Sequence, residues 1–383
     1  MAERRRVLTQ SSRSVADRHS FCAALTLALC APGDTLLYLL LPMHTRDFGV
    51  GFAQAGILLG ANRLVRIAGY AYVLRFYGKH GDRTTSLWAA LATACCAFGY
   101  ATLSGFWAIL VLRLMWGMSF AALNLSAQVL ATANPADLAH RVGRSRAVFA
   151  SGPMLALPVG AALTLAYGPR VIFFLLGGVA LLGVIQALRL PDAPHPAVTL
   201  SDRRIRLPDS VAIWSFMEGV ILDGLFIVGL STIAEQHMPA TGVVAAGVLL
   251  ALRYAAEMLL SPLGGRAAHR WGAVRMLVVL SLLSDGALIG YGSQWFVVCG
   301  GGILVLRALQ LPLVTTVVAQ QHPTMRVQAL ASNAVWRDIG SGIGPLIAGF
   351  LLPVASPMLI YSGAAIFLSI SALLCGLQYG RKA

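Results

Sequence analysis

Charged residues are scarce in this sequence. Only 11% of its 383 residues are Asp, Glu, Lys or Arg, whereas an ordinary soluble domain has about 25%. Lysine is nearly absent, with Lys79 and Lys382 alone, which is typical of GC-rich bacterial genomes. The length would allow two or three soluble domains, but 57% apolar residues exclude them and predict an integral membrane protein.

Several motifs are also missing. No Walker A pattern, HExxH motif or Cys/His zinc spacing occurs, so we predict no ATP-driven pump, no enzyme, no metal site and no cofactor. The first twenty residues are polar and Arg-rich, unlike a typical cleavable signal peptide. The net charge of +14 would suggest nucleic acid in a soluble protein. Here the basic residues fall between apolar runs, so we expect no nucleic-acid partner. We infer instead that these residues set the orientation of the chain in the membrane.

Runs of about 20 apolar residues are long enough to cross a bilayer as helices. Twelve such runs occur, at 21–42, 50–72, 86–104, 106–131, 147–167, 170–190, 211–234, 242–263, 274–292, 295–318, 328–352 and 357–378. A Pro-rich, charged stretch divides six runs from six. We therefore expect an N-tail (1–20), an N-terminal six-helix bundle (21–190), a linker (191–210), a C-terminal six-helix bundle (211–378) and a C-tail (379–383).

The distribution of Lys and Arg sets the orientation. Twenty-one of them fall on the side that holds both termini, and only Arg46 and Arg170 fall on the other. Because basic residues collect in cytoplasmic loops, both termini and the linker are predicted to be cytoplasmic. With the composition, this predicts a bacterial cytoplasmic (inner) membrane protein.

The two halves repeat each other. VLRLMWG at 111–117 matches VLRALQL at 305–311, so Arg113 pairs with Arg307 at an offset of 194 residues. Three further anchors have similar offsets: Gly78 with Gly272, Gly152-Pro153 with Gly344-Pro345, and Asp34 with Asp223. A nearly constant offset predicts duplicated halves related by an axis along the membrane normal.

With these motifs the chain resembles the major facilitator superfamily, over nearly its whole length. The family's loop signature, G-x-x-x-D-R-x-G, is matched in the second half by Gly265, Arg270 and Gly272, with His269 at the acidic position. In the first half only Gly78 remains, so the family's charge-relay gate is in doubt there, although Asp82-Arg83 can substitute. The resemblance implies an all-α membrane fold of twelve helices in two pseudo-symmetric halves.

Two further signatures are partial. The fourth-span signature R-x-x-Q-G is Arg113-Leu-Met-Trp116-Gly117 in the first half, and Arg307-Ala-Leu-Gln310 in the second. The span-five signature, which the family associates with exporters, survives in part at Gly152-Pro153 and more fully at Gly340, Gly344 and Pro345. This favours export.

A charged side chain within a bilayer needs a partner or a water-filled path. The resemblance places the first and fourth spans at the central cavity, where Asp34 and Arg113 would form a proton-coupling pair like that of proton-coupled drug exporters. The alternative is a static pair that holds helices together. Asp223 and Arg307 are the symmetric counterparts, with Asp223 a coupling or binding residue. Glu218, five residues earlier, is expected on a different face of its helix.

The candidate substrate residues are Arg63, Arg66, Trp116, Glu257, Arg307 and Gln310. Arg63 and Glu257 are related by the 194-residue offset, so they could gate the cavity, or the arginines could bind an anion. The alternative is local pairing of Arg253 with Glu257. Asp338 is expected to cap the cytoplasmic end of its span.

The main hypothesis is therefore a secondary transporter working by alternating access, as a proton-coupled exporter of a small organic solute. The first alternative is an importer or uniporter of an anionic metabolite bound by Arg63, Arg66, Arg113 and Arg307. The second is a membrane scaffold or sensor that no longer transports. The expected partners are the solute, protons and the lipid bilayer, and a monomer suffices for this fold.

Overall fold

A computed structural model describes residues 2–135, 137–194, 208–230, 242–352 and 354–379. Over these ranges the chain is helical and contains no strand. The helices are α1 (Ala2–Cys30), α2 (Pro32–Met43), α3 (Phe52–Thr102), α4 (Phe106–Ala131), α5 (Leu138–Tyr167), α6 (Val171–Ala187), α7 (Ser210–Glu218), α8 (Gly242–Trp271), α9 (Ala273–Gly292), α10 (Phe296–Gln321), α11 (Arg326–Leu351) and α12 (Pro357–Tyr379).

The predicted runs and the observed helices agree closely. The run 106–131 has the same bounds as α4, whereas α5 begins nine residues before its run and α1 extends into the predicted N-tail. Most of the predicted linker, 195–207, lies outside the described residues, as do 231–241 and the C-tail from 380. The division into two bundles joined by a linker therefore stays a prediction.

Eight stretches of the described chain are long and apolar enough to cross a membrane. One of them, in α3, is 49 residues long, about twice what a bilayer requires, so it covers two of the predicted crossings. The α6 helix has only 17 residues, and α8 and α11 carry the charged side chains described below. For α6, α8 and α11 membrane crossing thus rests on the sequence prediction.

The break in α3 is at Gly81, whose φ of 72° is a left-handed conformation that favours glycine. Gly272, between α8 and α9, has a φ of 89°. The first-half counterpart of Gly272 is thus Gly81, and the motif alignment through Gly78 was wrong by three residues. Gly78 is inside a helix, and Lys79 takes the place that corresponds to Arg270.

Glycines set the closest helix contacts in both halves. A Cβ atom at Gly152 of α5 would lie 1.9 Å from the Ala28 carbonyl oxygen of α1. In the second half, a Cβ atom at Gly344 of α11 would lie 2.4 Å from the Val220 carbonyl oxygen. Gly117 of α4 faces the Asn62 carbonyl oxygen of α3 in the same way. Small residues at such contacts let helix backbones approach in a membrane.

We expect Gly344→Ala to lower the free energy of unfolding, because overpacking a close contact costs about 1–3 kcal/mol. Gly342→Ala, two residues earlier in the same helix, is the matched control, since a Cβ atom there has open space. Thermal unfolding of the two purified variants in detergent measures the difference. Equal midpoints would contradict the packing role.

Candidate functional site

Arg113 of α4 is fully buried and pairs with Asp34 of α2. Its guanidinium also donates to two carbonyl oxygens of α3, those of Leu58 (2.9 Å) and Leu59 (3.3 Å). Asn62 lies 3.4 Å from the same Asp34 oxygen. The pair predicted from the sequence thus exists, and it links α2, α3 and α4.

A larger network surrounds the symmetric acid, Asp223. Its carboxylate pairs with Arg307 of α10, and it accepts from Arg253 of α8 and Arg337 of α11, both at 2.9 Å. Glu218 accepts from Arg337 at 3.1 Å and lies 3.4 Å from Arg307. We call these five residues the α7 charge cluster. It contains three arginines and two acids.

The expectation that Glu218 and Asp223 lie on different faces was wrong. The chain leaves α7 through a π-helical segment, Gly219–Leu225, with hydrogen bonds that span five residues instead of four. This wider turn brings residues five apart onto nearly the same side, so both acids bind Arg307 and Arg337. A π-helical segment inserted in an α-helix is frequent at functional sites.

Arginines of the first half also contact acceptors of the second. Arg66 of α3 lies 3.2 Å from Asp338 of α11, so the expectation that Asp338 caps a helix end was wrong. Arg63 donates to the Ser341 carbonyl oxygen of α11. Arg146 of α5 lies 3.3 Å from Glu257 of α8.

These contacts also correct the expected partners of two residues. Arg253 pairs with Asp223, so the local pairing with Glu257 was wrong. Glu257 pairs with Arg146, so the predicted juxtaposition of Arg63 and Glu257 is not present in this conformation.

Positive charge is in excess among these residues. Six arginines and four acids make up the α7 charge cluster and the contacts between the halves: Arg63, Arg66, Arg146, Arg253, Arg307, Arg337, Glu218, Asp223, Glu257 and Asp338. The side chains of Arg253 and Arg337 keep 21% and 28% of their surface exposed. The described centre therefore holds two more cations than anions, and Arg253 and Arg337 keep part of their surface open.

Two predicted substrate residues lie elsewhere. Trp116 is buried in the first-half core and stacks on Phe120 with ring centroids 5.2 Å apart. Gln310 is buried and donates to Ser284 of α9 at 3.1 Å. Both side chains serve helix packing in this conformation, and a substrate role stays a prediction.

The first-half loop, which departs from the family's motif, is followed by a buried acid. Asp82, directly after Gly81, is buried and accepts from Tyr77 (2.7 Å) and from Ser126 of α4 (2.6 Å). Arg326, at the start of α11, donates to the Thr132 carbonyl oxygen at 2.6 Å and so ties the two halves together at this end. Asp82 is thus a buried acid beside the loop, and its substitution for the acid of the loop motif stays a prediction.

Comparison with known proteins agrees with this architecture. The Major Facilitator Superfamily model matches residues 23–240, more than half of the chain, and the chain belongs to this family. An uncharacterized MFS-type transporter of Mycobacterium tuberculosis, from strains CDC 1551 and H37Rv, is 25% identical. That match covers 88% of this chain and 84% of the relative.

Solved structures show the same fold. The human organic anion transporter MFSD10 (TETRAN) superposes with a TM-score of 0.77 at 18% identity, over 94% of this chain and 99% of that one. The proton:xylose symporter XylE gives 0.77 at 13% identity, over 96% of each chain. The predicted family and all-helical fold are confirmed. The chain is a multi-pass membrane protein and a secondary transporter for small-molecule substrates, in a family that is typically non-enzymatic.

We expect Arg113→Gln to destabilise the protein by about 3–5 kcal/mol, because it leaves the Asp34 carboxylate buried without its charge partner. The double variant Asp34→Asn with Arg113→Gln removes both charges and should recover part of that loss. Thermal unfolding of the single and double variants measures the coupling. A double variant less stable than Arg113→Gln would contradict the pairing.

Proposed function

We propose that this transporter moves a small organic anion, which binds at the α7 charge cluster together with Arg63 and Arg66. The observation that carries the proposal is the excess of arginines over acids among the described central residues. A charge in a low-dielectric interior needs a counter-ion. A carboxylate or phosphate fits because each guanidinium presents a planar fork of donors to it.

The exposure of individual arginines supports the same site. Arg307 is nearly fully buried and forms ion pairs with Glu218 and Asp223, so little of its surface is open to a solute. Arg253 and Arg337 are the partly exposed members of the cluster, and the Arg63 side chain is partly buried. These three arginines, from α8, α11 and α3, would make the direct contacts with the anion.

We expect Arg253→Gln to reduce affinity for the anion by roughly 10- to 100-fold, because a hydrogen bond to a charged group contributes about 1.5–3 kcal/mol. The full chain is reconstituted in liposomes, and uptake of mono- and dicarboxylates is compared with uptake of their neutral amides. Arg275→Gln is the control, since Arg275 is exposed and lies outside the cluster.

Transport of neutral or cationic solutes in preference to carboxylates would overturn the proposal. Equal uptake of carboxylates by Arg253→Gln and Arg275→Gln would also overturn it. Size-exclusion chromatography of the variants shows whether lost activity reflects lost folding. The arginine-to-glutamine change keeps a polar side chain of similar length, which favours folding.

Proton coupling at Asp34 is our second proposal, and it concerns how transport is driven. The supporting observation is that the Asp34 side chain is 12% exposed whereas Arg113 has no exposure, so the carboxylate is the accessible part of the pair. A carboxylate that exchanges its arginine for a proton can couple a conformational change to a proton gradient. The glycine–proline sequence of α11 supports export as the direction. The bacterial relatives support a bacterial inner membrane, and the distribution of Lys and Arg supports cytoplasmic termini.

We expect Asp34→Asn to abolish transport driven by a pH gradient while leaving exchange of labelled for unlabelled anion across the liposome membrane. A pH-sensitive dye inside the liposomes reports solute-dependent proton flux. Asp47→Asn is the control, because Asp47 lies in the exposed loop between α2 and α3. Gradient-driven transport that survives in Asp34→Asn would contradict this role.

A further inference from the structure

A basic cleft lies outside the central site, at the end of the bundle where α5 begins and α8 ends. Its volume is about 400 Å³. Five basic side chains line it: His140, Arg141 and Arg144 of α5, and Arg266 and His269 of α8. These two helices belong to different halves of the transporter.

The two walls of the cleft are held together by backbone contact. His140 and Arg144 are four residues apart, and Arg266 and His269 are three apart, so each pair shares one helix face. Between the walls, a Cβ atom at Gly265 would lie 2.3 Å from the Ala139 carbonyl oxygen. At Gly143, a Cβ atom would lie 2.5 Å from the Ser261 carbonyl oxygen. The glycines thus bring like charges from two helices to the same opening.

The two acids that line the cleft, Asp17 and Asp137, compensate its positive charge only in part. Asp17 lies 2.7 Å from Arg141, which also donates to the Asn134 carbonyl oxygen at 2.8 Å. Asp137, the other acid, lines the cleft one turn before Arg141. Within the described part of the chain, neither Arg144 nor Arg266 forms an ion pair, and both side chains are exposed. Three arginines and two acids therefore line the cleft, and among the described residues Arg144 and Arg266 are its arginines without an acidic partner.

We propose that the cleft binds a phosphate group, either of an anionic phospholipid or of a free phosphate, between Arg144 and Arg266. Guanidinium groups bind phosphate oxygens through paired charge-assisted hydrogen bonds. The anion would also relieve the repulsion between the two walls. Because the walls belong to different halves, it would hold this end of the transporter closed.

The test is thermal unfolding of the full chain in a non-ionic detergent with three probes added in turn: dioctanoyl phosphatidylglycerol, dioctanoyl phosphatidylcholine and inorganic phosphate. We expect phosphatidylglycerol to raise the Tm by several degrees and phosphatidylcholine to have little effect, because a ligand stabilises the state that binds it. An equal shift with inorganic phosphate identifies the free anion as sufficient. If inorganic phosphate does not shift the Tm, the lipid headgroup is the ligand.

Arg144→Gln and Arg266→Gln should each lose at least half of the Tm shift, and the double variant should lose little more, because both arginines serve one site. Arg275→Gln, another exposed arginine of the second half, should keep the full shift. The proposal is overturned if neither phosphatidylglycerol nor inorganic phosphate raises the Tm, or if the Tm shift is the same in all variants. Arg253→Gln should keep the shift, which separates this cleft from the central anion site.

Discussion

The structure depends on the need to neutralise arginines inside a membrane. An arginine at the centre of a membrane helix costs about 2.5–3.5 kcal/mol on insertion scales, and more in the absence of nearby water or a partner. The chain meets this need differently in its two halves. Arg113 has one acid and the carbonyl oxygens of α3, whereas Arg253, Arg307 and Arg337 share Glu218 and Asp223. Sharing two acids among three arginines requires both acids on one side of a helix, which the π-helical segment after α7 provides.

Sequence patterns predicted the fold well because a helix that crosses a membrane requires about 20 apolar residues in a row. Apolar runs, loop charge and the repeat were sufficient to place α4 with correct bounds and to pair Asp34 with Arg113 and Asp223 with Arg307. The family and the all-helical architecture followed from the same patterns. The residues that fix these features are close in sequence or related by a constant offset, so they are visible without coordinates.

The rest of the site depends on geometry that the sequence does not express. The α-helical repeat separates Glu218 from Asp223, and only the π-helical hydrogen bonding brings them together. The ion pairs of Arg337 and Arg146 were not predicted, because their partners lie on other helices at sequence separations that no repeat offset predicts. Glu257 was paired wrongly for the same reason. One signal was available for Gly81, since a glycine followed by aspartate is typical of a turn.

In each contact between the halves at the central site, the first half supplies the arginine and the second half supplies the acceptor. Arg63, Arg66 and Arg146 belong to the first half, and their acceptors, Ser341, Asp338 and Glu257, belong to the second. If the halves separate there, the first half exposes three cations, while the second exposes two carboxylates and a carbonyl oxygen. The open cavity is then an electric dipole across its own width, with a positive wall formed by α3 and α5. The anion that we propose as substrate would meet this positive wall of the first half before the acids of the second.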